Sequence, residues 1–225
     1  MAAMLVLVWS GATMAKVEWS VKPVSSFEFP EGNIIPNGDL SEDTHRFTIT
    51  YEWGEIFTYD TSAYLTGKSS LLFDQKEGQR GRVYVNVRVD SDKKYKLGYV
   101  MKTEDLKLPE NNQSLRWGVY MQDGLGAWID SREPLKSLPD DYLNGMETGG
   151  IVIRTPNEID LGDGPKPVSG TTGWFNVEIL LDLPALVKDL QAALGRINLL
   201  RVDVTLYGGS GKIWLDCIYL VPVED

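Results

Sequence analysis

Apolar and polar residues alternate without interruption from Val83 to Asp90, in the order Val-Tyr-Val-Asn-Val-Arg-Val-Asp. Because successive side chains of a strand point to opposite faces, this pattern predicts a β-strand whose four valines enter a core. The other face then carries Tyr84, Asn86, Arg88 and Asp90. An aromatic ring, an amide and a planar cation in one row can stack on and hydrogen-bond to a polyhydroxylated ligand. Cross-strand pairing within a sheet uses the same residue types and is the structural alternative.

Three further stretches repeat this alternation, at 115–122, 200–207 and 174–181. Each predicts a strand with one apolar face and one polar face. If the strands share a sheet, its outer face is a polar platform with aromatic residues. The candidate ligand-binding residues on it are Tyr84, Asn86, Arg88, Arg116, Tyr120, Gln122 and Arg201. The outward positions of the stretch 174–181 are Trp174, Asn176 and Glu178.

Short strands at close spacing extend along most of the chain and predict an all-β fold, an antiparallel jelly-roll β-sandwich. The remaining predicted strands cover residues 17–30, 45–53, 70–73, 95–102 and 150–154. One short crossover helix is predicted from Pro184 to about Leu194, with Asp182 as its N-cap and Gly195 at its end. At 225 residues the chain fits one sandwich. We expect an apolar segment and lead-in strand over 1–32, and the jelly roll over 33–225.

Residues 123–173 interrupt the strand pattern with sequence rich in glycine and proline. Long irregular insertions in compact domains are usually functional or mobile. Trp128 lies in this insertion. It is a second candidate platform for stacking on sugars, and the alternative is that it anchors the loop to the sandwich.

The first eight residues are apolar and are followed by small residues that resemble a weak signal-peptide cleavage region without a basic start. The apolar run is much shorter than the roughly 20 residues of a membrane-spanning helix, so no membrane span is predicted. Residues 1–15 could instead mediate self-association by adding a strand to a sheet edge. Translation from Met14 is a further alternative. A weak signal sequence favours an extracellular or surface location.

Charge and residue counts narrow the classes of function. The chain has 22 basic and 32 acidic residues, a net charge of −10, and no basic run, which argues against nucleic acid as a partner. Cys217 is the only cysteine and is predicted to be a buried small apolar residue. His45 is the only histidine, which excludes histidine-rich metal sites and makes a catalytic triad improbable.

Several loose turn-and-strand signatures make residues 33–225 resemble the galactose-binding-like jelly rolls, the β-sandwich fold of many carbohydrate-binding modules. The matching segments are residues 37–40 (Asn-Gly-Asp-Leu), 66–71 (Thr-Gly-Lys-Ser-Ser-Leu), Tyr95, 173–175 (Gly-Trp-Phe) and 211–216 (Gly-Lys-Ile-Trp-Leu-Asp). The resemblance implies carbohydrate binding on a sheet face or at loop ends. This agrees with the polar row inferred from the residues themselves.

The same resemblance implies a structural calcium ion that joins the turn before the first strand, the Gly-Lys-Ser turn and an acidic residue of the last strand. The matching positions are Asp39, Lys68 through its backbone carbonyl, and Asp216. Oxygen ligands of this kind suit a hard cation. The alternatives are a local turn role for Asp39 and an ion pair for Asp216.

The most favoured function is therefore non-catalytic binding of a polysaccharide or other glycan. Arginines on the predicted face would also suit uronate carboxylates. One alternative is a structural subunit of a virion or an extracellular assembly, which rests on the apolar first residues. Another is a glycoside hydrolase, for which any two of the 32 acidic residues could supply the paired carboxylates, or a jelly-roll polysaccharide lyase, which would use a tyrosine or lysine with an arginine on the concave face.

Overall fold

The computed structural model describes residues 19–42, 48–51, 57–76, 80–107, 115–122, 158–160, 165–184, 198–207 and 209–224. Within these ranges the chain forms twelve β-strands. They are β1 (Trp19–Pro23), β2 (Thr48–Tyr51), β3 (Phe57–Asp60), β4 (Ser70–Gln75), β5 (Arg80–Arg88), β6 (Lys94–Lys107), β7 (Leu115–Gln122), β8 (Glu158–Asp160), β9 (Pro165–Pro167), β10 (Phe175–Asp182), β11 (Leu199–Tyr207) and β12 (Ser210–Val223).

The strands form two main antiparallel sheets. The larger has six strands in the order β1-β10-β6-β12-β4-β3, and the smaller has four in the order β2-β5-β11-β7. The short strands β8 and β9 pair with each other and form a separate two-stranded sheet. Buried apolar residues from the two main sheets form one continuous hydrophobic cluster. The molecule is therefore an all-β jelly-roll sandwich, and the predicted fold class is confirmed.

Alternation within the strands decides which side chains enter this cluster. In β5 and the residue after it, Val83, Val85, Val87 and Val89 are between 1% and 9% exposed, whereas the residues between them are half-buried or exposed. β10 alternates in the same way, with buried residues at every second position. The strand predicted from the valine pattern is confirmed, and so is its polar outer face.

The structure divides the four alternating stretches between the two sheets. β5, β7 and β11 are neighbours in the four-stranded sheet, but β10 lies in the six-stranded sheet between β1 and β6. The expected common platform therefore does not include Trp174, Asn176 or Glu178. An alternating pattern defines the two faces of a strand, and every sandwich strand has one face in the core, whichever sheet it joins. The pattern alone thus could not assign β10 to a sheet.

Several predicted elements differ in extent or fall outside the described residues. The lead-in strand predicted over residues 17–30 is limited to β1 within the described part of the chain, and it forms an edge of the six-stranded sheet. β3 was not predicted. The helix expected to run to Leu194 is described only at its first residues, 183–184, and the strand expected at 150–154 lies outside the described residues.

The segment after β1 covers part of the outer face of the six-stranded sheet. Phe27 stacks on Tyr219 with ring centroids 5.8 Å apart, and Phe29 meets the same ring edge-on. Tyr219 projects over Gly98 of the neighbouring strand, where a Cβ would lie 2.1 Å from the ring. The tyrosine is only 2% exposed as a result. This part of the larger sheet is therefore closed by the protein's own chain.

Candidate functional site

The outer face of the four-stranded sheet brings together residues that are far apart in sequence. In the β5-β11-β7 register, Asn86 pairs with Arg201, which pairs with Tyr120. Arg88 and Gln122 both pair with Leu199, two residues before Arg201 on β11. The three strands that carry most of the predicted ligand-binding residues are thus direct neighbours.

Arg201 is the centre of the described side-chain contacts on this face. Its Nε donates a hydrogen bond to Asn86 Oδ1 at 2.9 Å, and its Cζ lies 4.0 Å from the centre of the Tyr84 ring. Arg82 approaches the same ring, with its Cζ 5.6 Å from the centre. The hydrogen bond and the cation–π contact together restrict the position of the Arg201 guanidinium.

These contacts change the role expected for Tyr84. We predicted that its ring would be a platform for a sugar, but a guanidinium already packs against it. The ring therefore helps to hold Arg201 in place. The arginine rather than the tyrosine becomes the central polar group of the face.

Arg88 differs from Arg201 in its surroundings. Its side chain is exposed, and it forms no hydrogen bond, ion pair or ring contact with the residues that the structure describes. Asn86 is also exposed. Arg88 lies diagonally across the β5-β11 pair from Arg201, and such positions are about 7–8 Å apart, within reach of long side chains. Two guanidinium groups can therefore contact the same short stretch of a ligand.

The remaining predicted ligand-binding residues are described less completely. Arg116, Tyr120 and Gln122 hold their expected positions in β7, next to β11, but their side chains lie outside the described part of the structure. Trp128 lies wholly outside the described residues. The binding roles of these four residues stay predictions.

A second polar-aromatic cluster, which the sequence did not single out, lies on the outer face of the six-stranded sheet. Lys102 Nζ lies 4.2 Å from the Trp214 ring centre and 5.2 Å from that of Trp174. The Trp214 indole N–H donates to Asp60 Oδ2 at 2.7 Å, and Trp214 is only 5% exposed. The sequence did contain a signal for this cluster, because Lys102 and Trp214 occupy outward positions of alternating strands. The buried indole suggests a structural role for this cluster.

The three segments for which a calcium ion was expected do meet in the structure. The Ile218 backbone N–H donates to the Gly38 carbonyl at 2.8 Å, and Ser69 Oγ donates to the Leu40 carbonyl at 3.3 Å. Gly67, with φ +63°, lies so close to the Asp39 carbonyl that a Cβ would be 1.9 Å from its oxygen. We refer to these contacting turns, residues 37–41, 65–69 and 216–218, as the three-turn junction.

Asp216 is the buried acidic group of the three-turn junction. Its Oδ2 accepts hydrogen bonds from the backbone N–H groups of Leu65 (2.7 Å) and Thr66 (3.2 Å), and its Oδ1 accepts one from Cys217 (2.7 Å). Burial raises the pKa of this carboxyl, although the three N–H groups act in the opposite direction. Among the described residues, neither an arginine nor a lysine pairs with Asp216, and backbone N–H groups take the place of the ion pair that was the alternative.

This arrangement fits a calcium ion poorly. Both oxygens of Asp216 accept backbone N–H groups, and Asp39 Oδ1 accepts from the Ser41 hydroxyl at 3.0 Å. Calcium takes six to eight oxygen ligands, and the described residues include no group of three or more acidic, histidine or cysteine side chains that could hold a metal ion. Direct hydrogen bonds close the three-turn junction here. The calcium ion therefore stays a prediction from the resemblance.

Cys217 occupies the same junction and is fully buried, as predicted from its apolar neighbours. Its Sγ lies 2.9 Å from Thr66 Oγ1, and burial raises the pKa of the thiol well above its usual range. The thiol therefore stays protonated at neutral pH and is a poor nucleophile. Its role is structural.

Comparison with known proteins supports the fold described above. No protein-family model matches the chain, and no curated protein matches it in sequence. Among solved structures, it is similar to the enzymatically active domain of tailspike protein 4 of bacteriophage CBA120, with a TM-score of 0.53 and 10% identity over 85% of this chain. The chain spans 22% of that structure's length.

Carbohydrate-binding modules are also among the similar structures. TmCBM61, solved with β-1,4-galactotriose, matches with a TM-score of 0.47 and 13% identity over 85% of this chain and 99% of its own. The CBM22-1 xylan-binding domain of Paenibacillus barcinonensis Xyn10C matches with a TM-score of 0.45 and 13% identity over 83% and 92% of the two chains. At these identities a likeness concerns the fold alone. Matches to such modules agree with the resemblance noted in the sequence, and the β-sandwich itself rests on the strand topology described above.

In the part of the chain that the structure describes, no helix is long and apolar enough to cross a membrane.

Proposed function

We propose that this protein binds a polysaccharide, without catalysis, through the outer face of its four-stranded sheet. One observation carries the proposal: Arg201 is held against Tyr84 and hydrogen-bonded to Asn86 on that face. Polysaccharide recognition needs polar groups in fixed positions, because hydrogen bonds to sugar hydroxyl groups depend on direction.

Burial of two large aromatic side chains on the larger sheet supports this choice of surface. On the six-stranded sheet, Tyr219 and Trp214 are almost fully buried, and Phe27 covers one of them. On the four-stranded sheet, Asn86 and Arg88 are exposed. A ligand can reach hydrogen-bonding groups on the smaller sheet directly.

Several similar structures are named as carbohydrate-binding modules, and two of those names mention galactotriose and xylan. We extend only the general class, binding of a glycan, to this chain. Its location would then be outside the cell or at a cell or virion surface, where such polymers occur.

Affinity electrophoresis of the purified protein in gels that contain single polysaccharides, neutral and acidic, tests the proposal. We expect retardation by at least one glycan. This retardation should be lost in Arg201→Ala, which removes both the hydrogen bond to Asn86 and the contact with the Tyr84 ring. Lys96→Ala, on the opposite sheet, is the control and should migrate like the wild type. Circular dichroism confirms that each variant is folded.

Two results would count against the proposal. Unchanged retardation of Arg201→Ala would move the site away from this face, towards the loop that carries Trp128. No retardation by any glycan would favour the structural-subunit alternative instead.

A further inference from the structure

We propose that the ligand is an acidic polysaccharide whose uronate carboxylates are bound by arginines of the four-stranded sheet. This inference rests on the proposed function and specifies its class of ligand. It is based on the distribution of charged residues between the two sheets, which the sequence alone did not reveal because the sheet membership of each strand was unknown.

Arginine and lysine are completely separated between the described strands of the two main sheets. The strands of the four-stranded sheet contain five arginines and no lysine, whereas those of the six-stranded sheet contain six lysines and no arginine. The five arginines are Arg80, Arg82, Arg88, Arg116 and Arg201. The whole chain has nine, so more than half are in this one sheet.

The acidic residues are distributed in the opposite way. Within the same strands, the four-stranded sheet has one acidic residue, Asp203, which gives 5 − 1 = +4. The six-stranded sheet has seven acidic residues, which gives 6 − 7 = −1. In a chain whose net charge is −10, a sheet at +4 is a local excess of cations. A ligand of opposite charge would be attracted to it.

The lysines of the larger sheet have acidic neighbours within the protein. Lys212 pairs with Glu104 at 2.6 Å, and Lys96 with Glu178 at 3.4 Å. Arg88, in contrast, is exposed and has no partner within the described part of the chain. At least two cations of the larger sheet thus form ion pairs within the protein, whereas at least one guanidinium of the smaller sheet is exposed to a ligand.

The residue type points to carboxylates in particular. A guanidinium is planar and matches a carboxylate with two parallel hydrogen bonds, whereas an ammonium group is a point charge. Arg88 and Arg201 occupy diagonal positions on adjacent strands, so one chain crossing the sheet can present acidic groups to both. Asn86 between them can hydrogen-bond to sugar hydroxyls.

Two uronate polymers, polygalacturonate and alginate, test this inference against their own esters, which keep the backbone and remove the charge. We expect isothermal titration calorimetry to give binding of at least one free acid and binding at least tenfold weaker for its ester. Raising the salt concentration should weaken binding further. Arg88→Gln should lose about tenfold or more in affinity, because a charge-assisted contact is removed.

Two further variants separate the effect of charge on affinity from the effect of the planar guanidinium shape. Arg88→Lys keeps the charge but loses the planar fork, so its affinity should fall between the wild type and Arg88→Gln. Lys96→Gln makes the same charge change on the opposite sheet and should bind like the wild type. An equal loss of affinity for Lys96→Gln and Arg88→Gln would show that only the overall charge matters. That result would overturn the inference.

The outcomes distinguish this inference from the proposed function. Equal binding of acid and ester, or binding of neutral glycans alone, overturns the acidic ligand but keeps polysaccharide binding. Preference for a sulfated glycan, or for single-stranded DNA, overturns the carboxylate specificity. No binding to any polysaccharide overturns both.

Discussion

Asp216→Asn removes the buried charge of the three-turn junction while keeping the size of the side chain. In the wild type, Oδ2 accepts the backbone N–H groups of Leu65 and Thr66. An amide can turn its one oxygen towards these two groups, but its NH₂ then faces the Cys217 N–H that Oδ1 accepts in the wild type, so two buried donors are left unsatisfied. Leaving a buried donor unsatisfied costs about 1–3 kcal/mol, so two would cost about 2–6 kcal/mol. Relief of the buried charge offsets part of this, because burial raises the pKa of Asp216.

We therefore expect Asp216→Asn to lower the free energy of unfolding by about 3 kcal/mol. For a protein of this size that corresponds to a fall in Tm of about 6–12 °C. Urea denaturation followed by tryptophan fluorescence and thermal unfolding followed by circular dichroism both measure it. Asp74→Asn is the matched control, since Asp74 is an exposed residue of β4. Its free energy of unfolding should change by less than about 0.5 kcal/mol.

Equal stability of the Asp216 and Asp74 variants would refute the reasoning that backbone N–H groups depend on the Asp216 carboxylate. A decrease in the free energy of unfolding well above about 6 kcal/mol would also disagree with this reasoning. That result would indicate that the carboxylate has a further partner, for which the calcium ion of the family resemblance is the candidate.

Three other perturbations have definite expected outcomes. Chelation of calcium should leave the Tm of the wild type unchanged, because direct hydrogen bonds close the three-turn junction; a fall that added calcium reverses would restore the predicted metal site. Gly98→Ala should destabilise the protein by about 1–3 kcal/mol, since its Cβ would overlap the Tyr219 ring, whereas Gly173→Ala, with open space around it, should not. Hydrogen bonds from Ser62, and also from Trp214, lower the pKa of Asp60. A depressed folded-state pKa contributes stability above the unfolded value of 3.8 that is lost as the pH falls through the folded value. The stability difference between the wild type and Asp60→Ala should therefore be constant near pH 7 and shrink below about pH 4; a difference that grows towards low pH would contradict the sign.

The fold and one row of the candidate site could be predicted from local alternation. The alternation predicts that the four valines from Val83 to Val89 are buried and that Asn86 and Arg88 are exposed. It can do so because the alternation of side chains between two faces is a property of the strand itself. The role of Tyr84 could not be predicted in this way. Its ring is contacted by Arg201, and only the sheet register brings those two residues together.

Long-range pairing also explains what the sequence left undetermined. β10 has the same alternation as β5 but joins the other sheet, so the separation of arginines from lysines was not visible before the topology was known. The hydrogen bonds of Asp216 to Leu65 and Thr66 span about 150 residues. The family resemblance predicted that these segments meet, whereas the donors that surround Asp216 became apparent only in three dimensions.

Mapping the ligand onto the backbone tests the central claim, that the face of the four-stranded sheet binds a glycan, most directly. Amide ¹H–¹⁵N spectra of the protein would be recorded while an oligosaccharide of the retarding polysaccharide is added. The account predicts that the largest shifts occur at residues 82–88 of β5 and 199–205 of β11. Shifts confined to residues of the six-stranded sheet would contradict the account, and so would a lack of shifts in both β5 and β11.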